Sequence, residues 1–173
     1  RSTNLKQNNA EIRTVEHLLA AIAGSEIDNL NIEVDNIEIP ILDGSSKKYS
    51  ELISKIGTVH QNKEKKIFEI KRRISILDKD TGTQLIATPA DEYQLEVEID
   101  FDSKALKKQK AHLNTIKDFD SEISSSRTFC FFNELETLIE KDLIKGGDLK
   151  NAIVIAEKNI NKSKLQKISK LFK

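Results

Sequence analysis

The chain has 173 residues, of which 38% are hydrophobic and 32% are charged, a composition typical of a folded protein with one large or two small domains. Lysine plus arginine equals aspartate plus glutamate at 28 each, so no overall basic field would draw the chain to nucleic acid or anionic lipid. No apolar run is long enough to cross a bilayer, so the sequence predicts no integral membrane segment.

The single cysteine, Cys130, lies in an apolar run, which predicts a reduced, buried thiol and no disulfide within the chain. With no recognisable signal peptide, this cysteine usage predicts a cytoplasmic location. The sequence contains no methionine and begins with Arg1, so we expect it to be an internal piece of a longer protein.

The first predicted element is an amphipathic helix that begins near Thr14 and ends at Gly24. Thr14 can cap its start, and Gly24 is a stop signal. The first turn contains Glu16 and His17, which point about 100° apart, so one can hold a metal while the other handles the proton of a metal-bound water. From the residues alone, a solvated surface pair is the favoured interpretation. The apolar positions at helical spacing are Val15, Leu18, Leu19 and Ile22.

Alternating residues predict a half-buried strand from Leu30 to Val34, and a turn follows at residues 43–46. A second helix then ends at Gly57. Its predicted buried stripe is Tyr49, Leu52, Ile53 and Ile56. Residues 60–66 are polar and lysine-rich without periodicity, so we place a domain boundary there. This gives the C-terminal part of one α+β domain over residues 1–60 and a second domain over residues 61–173.

The second part of the chain begins with a predicted hairpin, because apolar residues alternate over 68–76 and a turn follows at 78–82. The clearest strand runs from Tyr93 to Phe101. The remaining predicted elements are a helix around 116–124, a strand over 127–132, a helix over 133–143, a strand over 152–156, and a last amphipathic helix containing Leu165, Ile168 and Phe172. This order predicts an α+β fold with helices on one face of a small sheet.

Several motifs together resemble one enzyme family across nearly the whole chain. They are Arg1-Ser2-Thr3, the run from Thr14 to Ala21, Gly24, Ile27-Asp28-Asn29, the run from Glu38 to Ser46, Arg127-Thr128-Phe129, and Gly146-Gly147 with Asn151-Ala152-Ile153-Val154. Their order and spacing resemble UDP-3-O-acyl-N-acetylglucosamine deacetylase, the zinc enzyme of lipid A synthesis often called LpxC.

The resemblance implies two α+β domains whose helices face each other, with the active site between them. It implies that His17 is the first Zn²⁺ ligand and that Glu16 is the general base that takes a proton from the zinc-bound water. Zinc chemistry agrees, because the metal lowers the pKa of its water and polarises the amide carbonyl. Thr128 would donate its hydroxyl to the developing oxyanion, and Phe129 would contact the substrate. Without the resemblance, Thr128 is an ordinary strand residue.

Two further assignments carry structural alternatives. Asp43 either organises a turn close to the site or only forms an Asx-type turn with a helix cap. Gly146 and Gly147 correspond to the family's strand-helix-strand insert, here near residues 130–156, which implies contact with the acyl chain of the substrate. Their alternative is a loop that ends the preceding helix.

The parent protein is therefore expected to be a zinc-dependent deacetylase that acts on a UDP-sugar acyl substrate in the committed step of lipid A and lipopolysaccharide biosynthesis. The other family ligands, from a His-Lys-x-x-Asp segment, are not in the sequence, so we expect these 173 residues to bind zinc weakly and to show little or no turnover. Some family members are fused to a hydroxyacyl-carrier-protein dehydratase, which makes a fusion conceivable for the parent. The competing hypothesis is a non-catalytic degenerate homologue or an α+β binding module.

Overall fold

The computed structural model describes residues 2–135, 150–157, 160, 162, 163 and 166. The predictions for Gly146, Gly147, most of the 133–143 helix and the last amphipathic helix lie outside these residues. The described residues combine helices with four two-stranded sheets, which confirms the α+β class. None of the described helices is long and apolar enough to cross a membrane.

The chain opens with a hairpin that the sequence analysis missed. Strand β1 (Leu5–Gln7) pairs antiparallel with β2 (Ala10–Ile12), and the turn places Asn8 at φ 53°. Asparagine tolerates this left-handed region, so the Asn8-Asn9 pair was the available signal. After β2, Arg13 forms a parallel bridge to Glu38, which brings a distant segment beside the hairpin.

Helix α1 (Glu16–Gly24) confirms the first predicted helix. Its start differs from the prediction, because the residue before it is Val15 and no side chain caps it. The hydroxyl of Thr14 donates instead to Oε1 of Glu38 at 2.6 Å. The predicted capping role of Thr14 was therefore wrong, since Val15 occupies the N-cap position and Thr14, at φ 56°, lies one residue before it.

The strand predicted from Leu30 to Val34 was wrong, because these residues are not in a strand and their side chains are exposed. A strand is stabilised by hydrogen bonds to a neighbouring strand. Among the described residues, no strand pairs with this segment. Residues 30–34 therefore have an alternating pattern but, in the part of the chain that the structure describes, no partner strand with which to form a sheet.

Helix α2 (Lys47–Ile56) ends at Gly57, as predicted, where φ is 81°. It packs against α1. Its predicted stripe is buried only in part: Tyr49 and Ile53 are half-buried, whereas Leu52 is 54% exposed and Ile56 is 83% exposed. The buried position on α2 is Ser50. The expectation of a buried stripe was therefore wrong for Leu52 and Ile56, which lie on the side of α2 away from Ser50.

Two antiparallel hairpins follow. Strand β3 (Ile74–Leu77) pairs with β4 (Gln84–Ala87), which confirms the predicted hairpin, although its first strand begins at Ile74 rather than at 68. Strand β5 (Leu95–Ile99) confirms the clearest strand prediction, and it pairs with β6 (Gln109–Leu113), which the sequence analysis missed. Only one end of β6 is buried, so its apolar alternation is weak.

A single 3₁₀ turn (Ile116–Asp118) leads into the short helix α3 (Phe119–Glu122), which confirms a helix in this region in shortened form. The Phe119 ring lies against Gly24 at the end of α1: a Cβ at Gly24 would be 2.1 Å from Cδ1 of that ring. Only glycine leaves room for this approach. The contact joins α1 to the second part of the chain.

The last described sheet pairs β7 (Phe129–Phe131) with β8 (Ile153–Ile155) in parallel, with Phe129 opposite Ile153. Both strands agree with the sequence prediction. The buried apolar side chains of the described residues are Val15, Ala21, Ile39, Leu113, Phe119 and Leu135. They come from both predicted domains, and the boundary between residues 60 and 61 stays a prediction.

Candidate active site

Glu16 and His17 occupy the first turn of α1, and both are half-buried. The Oε2 atom of Glu16 accepts a hydrogen bond from the backbone N–H of Thr3 at 3.1 Å. The N–H of Val15 in turn donates to the carbonyl of Thr3 at 3.2 Å. A carboxylate in the first turn is also favoured by the helix dipole. The Glu16 carboxylate is thus held at a defined place beside the segment that carries Thr3.

The Asp43 turn is of the Asx type that the sequence allowed. One carboxylate oxygen of Asp43 accepts from the N–H of Ser45 at 3.2 Å and from its hydroxyl at 2.9 Å. Burial would raise the pKa of Asp43, but these hydrogen bonds and nearby Lys48 lower it below its ordinary value. Ser46 does not cap α2; its hydroxyl donates to the carbonyl of Ser124 at 3.1 Å.

The strand that carries Thr128 is anchored to this turn. The N–H of Thr128 donates to the carbonyl of Gly44 at 2.8 Å, and the N–H of Ile153 donates to the carbonyl of Thr128 at 3.0 Å. The guanidinium of Arg127 donates through Nε to the carbonyl of Asp43 at 2.8 Å and through a terminal nitrogen to the carbonyl of Lys150. Both sides of Thr128 are therefore fixed by hydrogen bonds.

Gly44 is the point of closest approach in this junction. Its φ is +81°, and an added Cβ would lie 1.8 Å from the carbonyl oxygen of Asn151 and 3.3 Å from Cγ2 of Thr128. Three motifs that are far apart in the sequence thus meet at one glycine: the turn at 43–46, the Arg127-Thr128 pair and the segment at 150–151. We refer to this contact region as the Gly44 junction.

Phe129 belongs to a cluster of three aromatic rings in edge-to-face contact. Its ring centroid is 5.6 Å from that of Phe101 and 6.0 Å from that of Phe131. Phe101 and Phe131 also line a cleft of about 560 Å³, where Ser103 donates a hydrogen bond to Glu157. The sequence analysis did not place Phe101 here, because a contact between residues far apart in the sequence leaves no local signal.

The structure brings some of the predicted site residues together and leaves others apart. Asp43 and Thr128 meet through the Gly44 junction, whereas Glu16 and His17 lie on α1. Among the described residues, no hydrogen bond joins either of that pair to Thr128. The two groups are connected through packing, since α1 contacts Phe119 and the turn before α2 contacts Ser124.

The described residues contain no group of three histidine, cysteine, aspartate or glutamate side chains that could hold a metal ion. His17 supplies one imidazole, the side chain that most often ligates metals in proteins. A catalytic zinc takes three protein ligands and a water. His17 therefore fits one position of a zinc site, and further ligands would have to come from outside the described residues.

Comparison with known proteins gives a consistent result over nearly the whole chain. The sequence model of the family described as "LpxC: UDP-3-O-acyl N-acetylglycosamine deacetylase" matches residues 1–170. The "Bifunctional enzyme LpxC/FabZ" of Porphyromonas gingivalis is 41% identical over 169 residues, which is 98% of this chain and 37% of that relative.

Other relatives carry the single-enzyme name "UDP-3-O-acyl-N-acetylglucosamine deacetylase". The Saccharophagus degradans protein is 42% identical over 159 residues, which cover 89% of this chain and 51% of that protein. The Myxococcus xanthus protein is 39% identical over 160 residues, which cover 92% of this chain and 50% of that protein. The chain thus spans between 37% and 51% of the length of these three relatives.

Proposed function

The chain belongs to the LpxC family of UDP-3-O-acyl-N-acetylglucosamine deacetylases, and from this premise we propose that the whole protein hydrolyses the acetamide of such a UDP-sugar. The observation that carries the proposal is the Glu16-His17 pair in the first turn of α1, within a chain that matches the family over residues 1–170. The products would be acetate, which is released, and the free amine, which would continue as an intermediate of lipid A synthesis.

His17 would hold a zinc ion through its imidazole, together with ligands from outside the described residues. When bound, zinc supplies a water of lowered pKa and polarises the amide carbonyl. Glu16 would accept the proton of the attacking water, and the hydrogen bond from Thr3 keeps its carboxylate oriented for that transfer. The Thr128 hydroxyl would donate a hydrogen bond to the oxygen on which negative charge develops.

The remaining site assignments follow from the same family membership. Phe129 would contact the substrate, which its place in the aromatic cluster supports. Gly146 and Gly147 would lie along the acyl chain. Asp43 would act through the Gly44 junction rather than on the substrate. The proposal also includes two α+β domains with facing helices, divided near residue 60. It further includes a cytoplasmic location.

A second enzyme in the same polypeptide is also part of the proposal. Relatives from Porphyromonas gingivalis and Bacteroides thetaiotaomicron are named "Bifunctional enzyme LpxC/FabZ", and this chain covers 37% of each. These names support a fusion of the deacetylase to a hydroxyacyl-carrier-protein dehydratase in the whole protein. Sequencing the complete reading frame tests this part separately from the deacetylase.

The test of the deacetylase uses the full-length protein loaded with zinc, with acetate release and zinc content as readouts. Glu16→Gln should lower kcat by roughly 100- to 10,000-fold while zinc stays bound. His17→Ala should lose zinc together with activity, and Thr128→Val should lower kcat by roughly 100-fold or more. The control is His112→Ala, because His112 is an exposed histidine on β6 that lies 3.5 Å from the carboxylate of Glu96.

The outcomes separate the enzyme from its alternative. A zinc-loaded wild-type protein that releases no acetate would support a non-catalytic homologue and overturn the proposal. Acetate release that survives both Glu16→Gln and His17→Ala would move the chemistry to other residues. Loss of activity in these variants but not in His112→Ala would establish the α1 pair as the catalytic centre.

A further inference from the structure

Thr14 links β2 to α1 and stands two residues ahead of Glu16. Its φ is +56°, in the left-handed region that β-branched residues rarely adopt. Backbone in such a region persists only where the surrounding structure holds it there. The angles at Thr14 set the direction in which α1 leaves the hairpin, so the groups that hold Thr14 also set the orientation of the first turn of α1.

Glu38 is the side chain that holds Thr14. Its Oε1 atom accepts the hydrogen bond of the Thr14 hydroxyl at 2.6 Å. The backbone on both sides of Glu38 is fixed as well: the N–H of Arg13 donates to the carbonyl of Ile37 at 2.8 Å, and the N–H of Ile39 donates to the carbonyl of Arg13 at 3.0 Å. The carboxylate therefore extends from a segment that is itself pinned to the hairpin.

The donor side of this hydrogen bond is shielded from water, because Thr14, Val15 and Ile39 are buried, whereas Glu38 is exposed. A hydrogen bond to a carboxylate is also stronger than one between neutral groups. On the other side of Thr14, the carbonyl of Thr3 accepts from the N–H of Val15, and the N–H of Thr3 donates to the carboxylate of Glu16. The start of α1 is thus held between Glu38 on one side and Thr3 on the other.

We propose that Glu38 is a positioning residue for the reaction: through the Thr14 hydroxyl it fixes the left-handed link that aims the Glu16 carboxylate and the His17 imidazole. The inference rests on the proposed function, because only there do Glu16 and His17 have chemical roles. Glu38 itself touches neither substrate nor metal in this account. Displacing a catalytic group by about an ångström can cost roughly 100-fold in rate, so loss of the hydrogen bond should be visible in kcat.

The experiment compares paired variants in the full-length zinc protein. Thr14→Val and Glu38→Ala remove the donor and the acceptor, whereas Thr14→Ser and Glu38→Gln keep a hydroxyl and an accepting oxygen. The first two should lower kcat roughly 10- to 100-fold with KM unchanged and should lose zinc to a chelator more readily. The conservative pair should recover both properties. The matched control is Glu33→Ala, which removes an exposed carboxylate whose described partner is Asn31.

The outcomes distinguish the positioning role of Glu38 from the proposed function. Glu38→Ala removes a side chain from a pinned segment and can unfold the protein, so the nearly isosteric Thr14→Val carries the test. A folded Thr14→Val with wild-type kcat and zinc affinity would overturn the inference, as would a Glu38→Gln protein impaired as strongly as Glu38→Ala. An inactive wild-type protein would instead refute the proposed function.

Discussion

Two turns of this molecule use the same local chemistry and have opposite surroundings. In the Gly44 junction, an Asp43 oxygen accepts the N–H of residue 45; in the β3–β4 hairpin, an Asp78 oxygen accepts the N–H of residue 80 at 3.0 Å. Each turn also contains a glycine of positive φ, 81° at Gly44 and 71° at Gly82. The same type of hydrogen-bonded turn therefore forms in both places.

The surroundings differ in how far away the partners lie in the sequence. The Gly44 junction is closed by Arg127, which is 84 residues from Asp43, and its Ser45 is 1% exposed. The hairpin closes on its own strands, and its apolar side chains stay exposed, with Leu85 at 69%. A tight turn thus acquires a role in the site only when distant segments pack onto it.

The largest expected effect comes from adding a methyl group to the glycine of the Gly44 junction. Gly44→Ala should lower the free energy of unfolding by more than about 3 kcal/mol, because the Cβ would clash with the backbone of Asn151 and φ is positive. Gly82→Ala is the control, with the same unfavourable φ and no atom within 4 Å, and should cost about 1 kcal/mol. Chemical denaturation measures both, and equal losses would show that the junction is no tighter than the hairpin.

A smaller effect is expected from the pH dependence of Asp43. Its pKa is lowered in the folded protein, so the stabilisation is fully present above the ordinary value of 3.8 and is lost as the pH falls through the folded value. Asp43→Asn should therefore be less stable than wild type at neutral pH, by less than about 1 kcal/mol because the carboxylate is partly solvated. Denaturation curves should converge below pH 3.8. A difference that stays constant over this range would contradict the assignment.

The smallest effect is expected on the exposed hairpin. Leu85→Ala should change the free energy of unfolding by less than about 0.5 kcal/mol, since Leu85 is mostly in solvent. The measurement is the same denaturation assay on the full-length protein. A loss above about 2 kcal/mol would mean that this face of β4 is covered, and the contrast between the two turns would then disappear.

The sequence predicted much of the fold because several elements depend on interactions between near neighbours. Periodicity located α1 and α2, and the Asp78 turn located the β3–β4 hairpin. The same method failed for residues 30–34, whose alternation lacks a partner strand among the described residues, and for Leu52 and Ile56 of the predicted α2 stripe, which are exposed. It also missed β6, whose single buried end gives little apolar signal.

The candidate site also contains residues that the sequence indicated and contacts that it did not. The family resemblance singled out Glu16, His17 and Thr128, and their chemical roles stay predictions that the variants above test. The sequence did not indicate that Arg127 would bridge two segments or that Phe101 would join Phe129 in one aromatic cluster. Both contacts connect residues that no local pattern relates.

What the sequence determined by itself was the helix that carries Glu16 and His17, the tight turns, and the family to which their motifs belong. Only the tertiary structure decided that the Thr14 hydroxyl bonds Glu38 instead of capping α1, and that the Asp43 turn, unlike the Asp78 turn, is buried. The physical reason is the separation along the chain over which each kind of interaction acts. Helical periodicity and turn formation act over a few residues, whereas a hydrogen bond between distant residues forms only after the whole chain has packed.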